Sequence, residues 1–406
     1  MNVPFRPILS ALLRNRAGAM LVALQVAIAL AVLVNAVYIV KQRIDRIDRP
    51  TGLDVDNIFI AAVTGFTKQF NYSAALDEDI QWLSALPGVI GVTATNSVPL
   101  SGGGSSDIVK LVPSAKGGHE NLVNYFHLNE QGAEALGIKV IAGRWFKREE
   151  VQAPLPTLFS AYSGPIVITK SYADKIFPQG DALGKVLYGS TNQPMPIIGI
   201  VDHMLGSWVT GVDHPEDVMY MALQPTGPST RYLVRTKPGM RDQLMRRVEA
   251  ELGPRNEMRS VNSVRTLALF KARSYLTDRN MAIYLIVVTA LLLAVTSLGI
   301  FALATFNVST RTKQVGTRRA VGARRRDVVA HFLVENWIIT TGGLLLGCVL
   351  ALAAGHLVSI NYELPRVDLY YIVGGVLAMW VIGVAAAWHP SRRAARISPA
   401  LATRTV

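Results

Sequence analysis

Gly180, Gly184 and Lys185 stand close to where a phosphate-binding loop places its glycines and lysine, so nucleotide binding is the first chemistry to test. Such a loop needs G-x-x-x-x-G-K-[ST], with backbone amides around the phosphates and the final hydroxyl on Mg²⁺. Here the spacing is one residue short and Val186 replaces the hydroxyl. Ser101-Gly-Gly-Gly-Ser-Ser106 is also Gly-rich, but no Lys-Ser/Thr follows it, and it reads as a flexible turn. Hydrolytic and metal signatures are missing too: there is no H-E-x-x-H, G-x-S-x-G or S-x-x-K, and no Cys/His cluster. His203 and His214 lie beside Asp202 and Asp213 and could meet, yet ordinary histidines account for them better, as they do for His119 and His127. The one cysteine, Cys348, excludes an intrachain disulfide. The chain is therefore expected to hold no catalytic, cofactor or metal site of its own.

What remains chemically distinctive is charge. Lys and Arg number 41 against 28 Asp and Glu, a formal +13, which invites a nucleic-acid reading. The location decides otherwise. Residues 41–280 hold 26 basic and 24 acidic residues, whereas the rest of the chain holds 15 and 4. That excess flanks four apolar windows in a chain of 17% charged residues and mean hydropathy +0.30. Each window has the roughly 20 apolar residues a helix needs to cross a bilayer. Basic residues cluster before the first window, between the second and third, and in the tail, which puts both termini in the cytoplasm and residues 41–280 outside it.

The expected order is a cytoplasmic amphipathic segment (1–16), a first span (17–40), and an extracytoplasmic core domain with helical stalks (41–280). A second span (281–306), a cytoplasmic basic segment (307–336) and a third span (337–360) follow. A short outer loop (361–368), a fourth span (369–388) and a cytoplasmic tail (389–406) complete it. The fold class is thus membrane α-helical with a large α+β domain between the first two helices. Strand-like runs at 58–61, 89–93, 165–169 and 196–201 alternate with helical stretches at 76–86, 171–177 and 240–252. Asp45 and Arg49 have i,i+4 spacing, and the first helix is expected to run on as a stalk to Pro50. Val264, Leu267, Ala268 and Lys271 hint at a matching stalk before the second span. Gln25 and Asn35 should bond to neighbouring helices, and Gly342-Gly343, Gly347 and Gly374-Gly375 should let helices approach. His356 lies near the outer end of the third span, where partial solvation accounts for it.

Gly316, Ala320 and Ala323 recur at i, i+4, i+7, a small-residue stripe that would let a helix lie flat on a protein groove. Arg311, Arg318 and Arg325 repeat every seven residues on another face. A lipid-bound helix would carry Leu, Phe or Trp on its apolar side instead.

Three blocks carry a resemblance over nearly the whole length. They are Leu136-Gly-Ile-Lys-Val-Ile-Ala-Gly-Arg-Trp-Phe146 with the strand Ile197-Ile-Gly-Ile-Val-Asp202, then Lys313 to Asp327, and Pro390 to Leu401. The chain resembles the MacB/FtsX-type permease family of ABC transporters, in a form without a fused ATPase. The resemblance implies a periplasmic core domain and a dimeric, non-enzymatic permease of the bacterial inner membrane that works by mechanotransmission in efflux. It makes Gln314, Gly316, Arg318, Arg319, Ala320, Gly322, Ala323, Arg325 and Asp327 the ATPase-coupling segment; the family usually has Glu at Gln314, so one charge is lost. The implied partners are a cytoplasmic ABC ATP-binding subunit holding ATP and Mg, a second permease chain (identical or sibling), and membrane lipids, with no nucleic acid. A periplasmic adaptor and an outer-membrane channel complete the set in exporters of this type. The rival expectations are a relay that regulates an extracytoplasmic enzyme and a sensor receptor, the latter disfavoured because two spans would be idle.

Overall fold

Helix α1 (Arg16–Asp48) does not stop at the edge of its apolar window but continues through Lys41-Gln-Arg-Ile-Asp45. The computed structural model describes residues 16–113, 121–153, 162–189, 191–212, 214–225, 227, 229–362 and 367–397. Residues 1–15, most of the expected amphipathic segment, lie outside these, as do 363–366 of the short loop, Asp213, His119 and the tail after Ile397. The chain divides into two compact units: residues 1–48 with 278–406, and the inserted domain 49–277.

Strands of the inserted domain follow in order as β1 (Ile58–Gly65), β2 (Val89–Thr95), β3 (Ser106–Val109), β4 (Asn121–Leu128), β5 (Val140–Gly143) and β6 (Ile166–Thr169). Then come β7 (Val186–Tyr188), β8 (Pro194–Val201), β9 (Val218–Ala222), β10 (Ser229–Thr236) and β11 (Arg259–Thr266). Its helices are α2 (Tyr72–Ser84), α3 (Gly132–Leu136), α4 (Lys170–Ile176), α5 (Arg241–Glu251) and α6 (Leu267–Ser274). One sheet has the order β11-β1-β10-β2, antiparallel throughout. Phe59, Ala61 and Val63 of β1 point to one face by the two-residue period of a strand, and there meet Leu76 and Leu83 of α2 and Leu244 and Val248 of α5. The second sheet runs β3-β4-β9-β6-β8-β5, with β7 on β8, and mixes parallel (β4 with β9, β6 with β8) and antiparallel pairs. Tyr172, Ala173 and Ile176 of α4 close its core over Ile166, Ile168, Met219 and Met221.

Within the first core, Arg259 of β11 grips both carboxylate oxygens of Asp79 on α2, and the Tyr232 hydroxyl donates to Asp79 Oδ2 at 2.7 Å. Arg259 also donates to the Leu252 carbonyl at 2.8 Å. Buried charge is tolerated because each partner finds several hydrogen bonds.

Two local expectations are corrected. Val264 lies on β11, paired with Ala61 of β1, so only Leu267, Ala268 and Lys271 are helical. The ladder with β1 outweighs helical spacing, and the chain turns again at Tyr275 before the next helix begins at Leu276. Asp45 pairs with Lys41 at 2.5 Å rather than with Arg49. Arg49 follows the helix end and donates to the Val209 carbonyl and, at 3.4 Å, to the Tyr275 hydroxyl.

The remaining unit contains α7 (Leu276–Thr310), α8 (Thr312–Ala320), α9 (Arg325–Tyr362) and α10 (Leu369–Ala394). With α1, helices α7, α9 and α10 are long and apolar enough to cross a membrane. They meet in a core formed by Val26, Leu30, Val34, Ile300, Ile339, Leu344, Met379 and their neighbours.

His127 on β4 is 7% exposed, stacks on Tyr125 at 5.5 Å, and neither ring nitrogen has a partner among the described residues. Burial pushes its pKa down to about 4 from the ordinary 6.5. The unfolded chain therefore binds the extra proton between these values. Stability is full above the unfolded pKa and falls as pH drops toward 4, by about 3 kcal/mol over that window. Thermal unfolding of His127→Leu should show a shallower loss between pH 6.5 and 4 than the parent; parallel curves would refute the assignment.

Candidate coupling site

Helix α8 is a short arm between two spans. Its inner face, Val315 and Gly316, is buried, and Val315 packs with Val308, Val328, Phe332 and Ala394. Its outer face carries Lys313, Gln314, Arg318 and Ala320, all exposed. The arm ends because Gly322 adopts φ +104°, a left-handed conformation that other residues resist. The expected single stripe is thus corrected. Gly316 and Ala320 share α8, with Gly316 turned inward, and Ala323 lies beyond the Gly322 turn rather than on the same helix.

The candidate residues separate into distinct roles. Arg319 donates to the Ile397 carbonyl at 2.5 Å, so it ties the arm to the segment after α10. Asp327 Oδ2 accepts from the Arg324 amide at 3.1 Å, the reach-back of a capping box that starts α9. Arg325 is exposed at the first position of α9, and the Arg318 side chain is exposed and makes no hydrogen bond or ion pair with the described residues, while its carbonyl accepts from the Ala323 amide at 3.1 Å. Gln314, Arg318, Ala320 and Gly322 therefore make the accessible surface, while Gly316, Arg319, Ala323 and Asp327 hold its shape.

Span contacts show what the polar and small residues do. Asn35 Nδ2 donates to the Ala31 carbonyl of its own helix at 2.9 Å and to Ala351 of α9 at 3.2 Å. Gln25 lies against Gly299 of α7, where an added Cβ would come within 2.3 Å of its Oε1. Gly343 and Gly347 face the α1 backbone, 2.6 Å and 3.0 Å from the Ala23 and Ala27 carbonyls by the same measure. Gly375 meets Val34 and Leu30, whereas Gly342 and Gly374 face open space, so only one of each pair serves helix contact.

Three acidic or amide groups escaped the sequence reading. Asp278, 2% exposed at the start of α7, forms an ion pair with Arg43 of α1. Glu335 on α9 accepts from Arg311 at 3.0 Å, and Asn336 Nδ2 donates to the Gly383 carbonyl of α10 at 3.0 Å. Their signal was an acid or amide at the very border of an apolar window, which counting charges per segment conceals. Among the described residues no group of His, Cys, Asp or Glu could hold a metal ion. His203 instead contacts the Pro50 carbonyl at 2.8 Å through Nε2.

Four helices long and apolar enough to span a bilayer, a domain inserted after the first and a cationic arm between the second and third define an integral membrane protein with a large inserted domain. Residues 19–251 match the MacB-like periplasmic core domain and residues 286–399 the FtsX-like permease C-terminal domain. The chain belongs to this MacB-like ABC permease family. It is 25% identical over 295 residues to the macrolide export ATP-binding/permease protein MacB of Neisseria gonorrhoeae, covering 68% of this chain and 42% of that protein. A pyoverdine export ATP-binding/permease protein, PvdT of Pseudomonas syringae pv. tomato, is 32% identical over 126 residues, 31% of this chain and 19% of that one. The chain thus spans less than half the length of these curated relatives. The solved periplasmic region of MacB from Actinobacillus actinomycetemcomitans is 16% identical, with TM-score 0.34, covering 55% of this chain and 94% of that one.

Gly343→Val should force α1 from α9 and cost about 1–3 kcal/mol, read as a lower thermal midpoint in detergent. Gly342→Ala, whose Cβ would meet nothing within 4 Å, is the control and should leave the midpoint unchanged or raised.

Proposed function

We propose that the chain is the permease subunit of an ATP-driven transporter of the inner membrane and that α8 with the Gly322 turn is the part an ATP-binding subunit grips. One observation carries this reading: α8 buries Val315 and Gly316 against the spans and leaves Gln314, Arg318 and Ala320 exposed. An arm fixed on one side and cationic on the other is suited to receiving force from an acidic groove. ATP and Mg belong to that partner. A second permease chain completes the assembly, with both termini cytoplasmic and the inserted domain on the far side. Closure of the ATP-binding subunits then shifts α8, the spans transmit the shift, and the inserted domain moves a substrate already beyond the membrane, with an adaptor and outer channel receiving it.

Arg318→Glu should lower stimulation of the partner's ATP hydrolysis about tenfold, since a like charge now faces the groove, with the thermal midpoint unchanged. Unaltered stimulation in the co-purified complex would remove α8 from the interface. Arg319→Glu should instead lower the midpoint, because it severs the bond to Ile397. For topology, a reporter enzyme inserted at Gly103, which has open space around it, should report extracytoplasmic, and one fused after Val406 cytoplasmic. The reverse pattern overturns the orientation.

A further inference from the structure

Glu335 sits nearly three turns into α9 and is 2% exposed, in a region where an ionised group needs a specific reason. Its Oε2 accepts from Arg311, which is the single residue between α7 and α8 and the N-cap of the arm. Its Oε1 has no partner among the described residues. Beside the pair lies a cavity of about 10 Å³ lined by Asn307, Glu335 and Asn336 and by apolar side chains including Phe332 and Ile339. Asn336 already spends its amide on Gly383. Asn307, on α7, is buried and its Oδ1 is likewise without a partner among the described residues. Two residues from two helices, each with an unsatisfied acceptor, thus line one small cavity.

We infer that this cavity holds one water donating to Glu335 Oε1 and Asn307 Oδ1, and that water and Arg311–Glu335 pair together latch the angle of α8 to the spans. The volume is that of a single water, and a water's two hydrogens match two acceptors. Arg311 and Glu335 already balance in charge. A bound cation would leave an uncompensated positive charge among apolar side chains, so a neutral donor fits better. Arg311 and Glu335 are positioning residues: they touch no substrate but fix the arm that, on the reading proposed above, receives the force.

The test uses the full chain in nanodiscs without any ATP-binding subunit, so its outcome is independent of whether α8 docks a motor. In a Cys348→Ala background, spin labels at Gln314→Cys and Leu345→Cys report the distance between arm and span. The parent should give one narrow distribution. Glu335→Gln should broaden it about twofold, since the neutral side chain no longer holds Arg311. Asn307→Leu, nearly isosteric but without an acceptor, should broaden it as well, by less. The swap Arg311→Glu with Glu335→Arg should restore the narrow peak, which a merely space-filling role would not do. If Glu335→Gln does not reconstitute, Glu335→Asp, too short to reach Arg311, serves in its place with the same expected broadening. A distribution as narrow as the parent's in the Glu335 variant, or no recovery in the swap, overturns the latch. An unchanged distribution in Asn307→Leu overturns the water bridge.

Discussion

Hydrocarbon offers a polar side chain nothing to bond to, so each one carried into the spans must be met by its own helix or by a neighbour. Thr296, Ser297 and Thr305 turn back onto carbonyls one turn earlier on α7. Asn35 and Asn336 instead reach across, tying α1 to α9 and α9 to α10. Gly343 and Gly347 bring α9 close to α1, Gly375 brings α10 close to α1, and Gly383 lies against Thr340 and Asn336 of α9. The result is a tight trio of α1, α9 and α10. Helix α7 joins it through two ion pairs, Asp278 with Arg43 at one end and Arg311 with Glu335 at the other, and packs Gly299 against Gln25 midway. Apolar residues such as Val287, Leu291, Val295 and Leu298 cover much of the rest of α7 and are exposed. Ile300 is nevertheless buried in the shared core, with Leu292, Leu293 and Leu303 packed against it, so one apolar strip holds α7 beside the ion pairs.

The inserted domain solves a different problem, that of holding a strand far along the chain to a helix near its start without a disulfide. Arg259 and Asp79 are 180 residues apart, and their paired charges with Tyr232 join β11, α2 and β10 inside one core. Losing one partner would leave the other charged and buried, which costs several kcal/mol and makes the trio an all-or-none clasp.

Much of this was legible in the sequence. Apolar windows gave the four helices because hydrocarbon leaves so few alternatives, and short β-branched, apolar runs exposed β1, β2, β6 and β8. The arm at 311–327 was visible as a repeat of Arg and small residues. Its break was not, because Gly322 reads as another small residue until its φ is known. Likewise Val264 kept helical spacing with Leu267 and Ala268, and only the distant ladder to β1 made it a strand. The roles of Arg319 and Glu335 depended on partners 78 and 24 residues away, which no local pattern reports.

Arg49 and Tyr275, at the two ends of the inserted segment, are bonded to each other, and Arg49 also holds Val209. Pro50 and Thr51 are held by His203 and Leu205, and Ser274 holds the Leu100 carbonyl at 2.5 Å. Entry and exit of the chain are therefore sewn onto the same patch of the domain, leaving no slack length to be drawn out first. For the domain itself, its two chain ends are fixed to each other and to shared neighbours, so neither can fray without breaking bonds that hold the other.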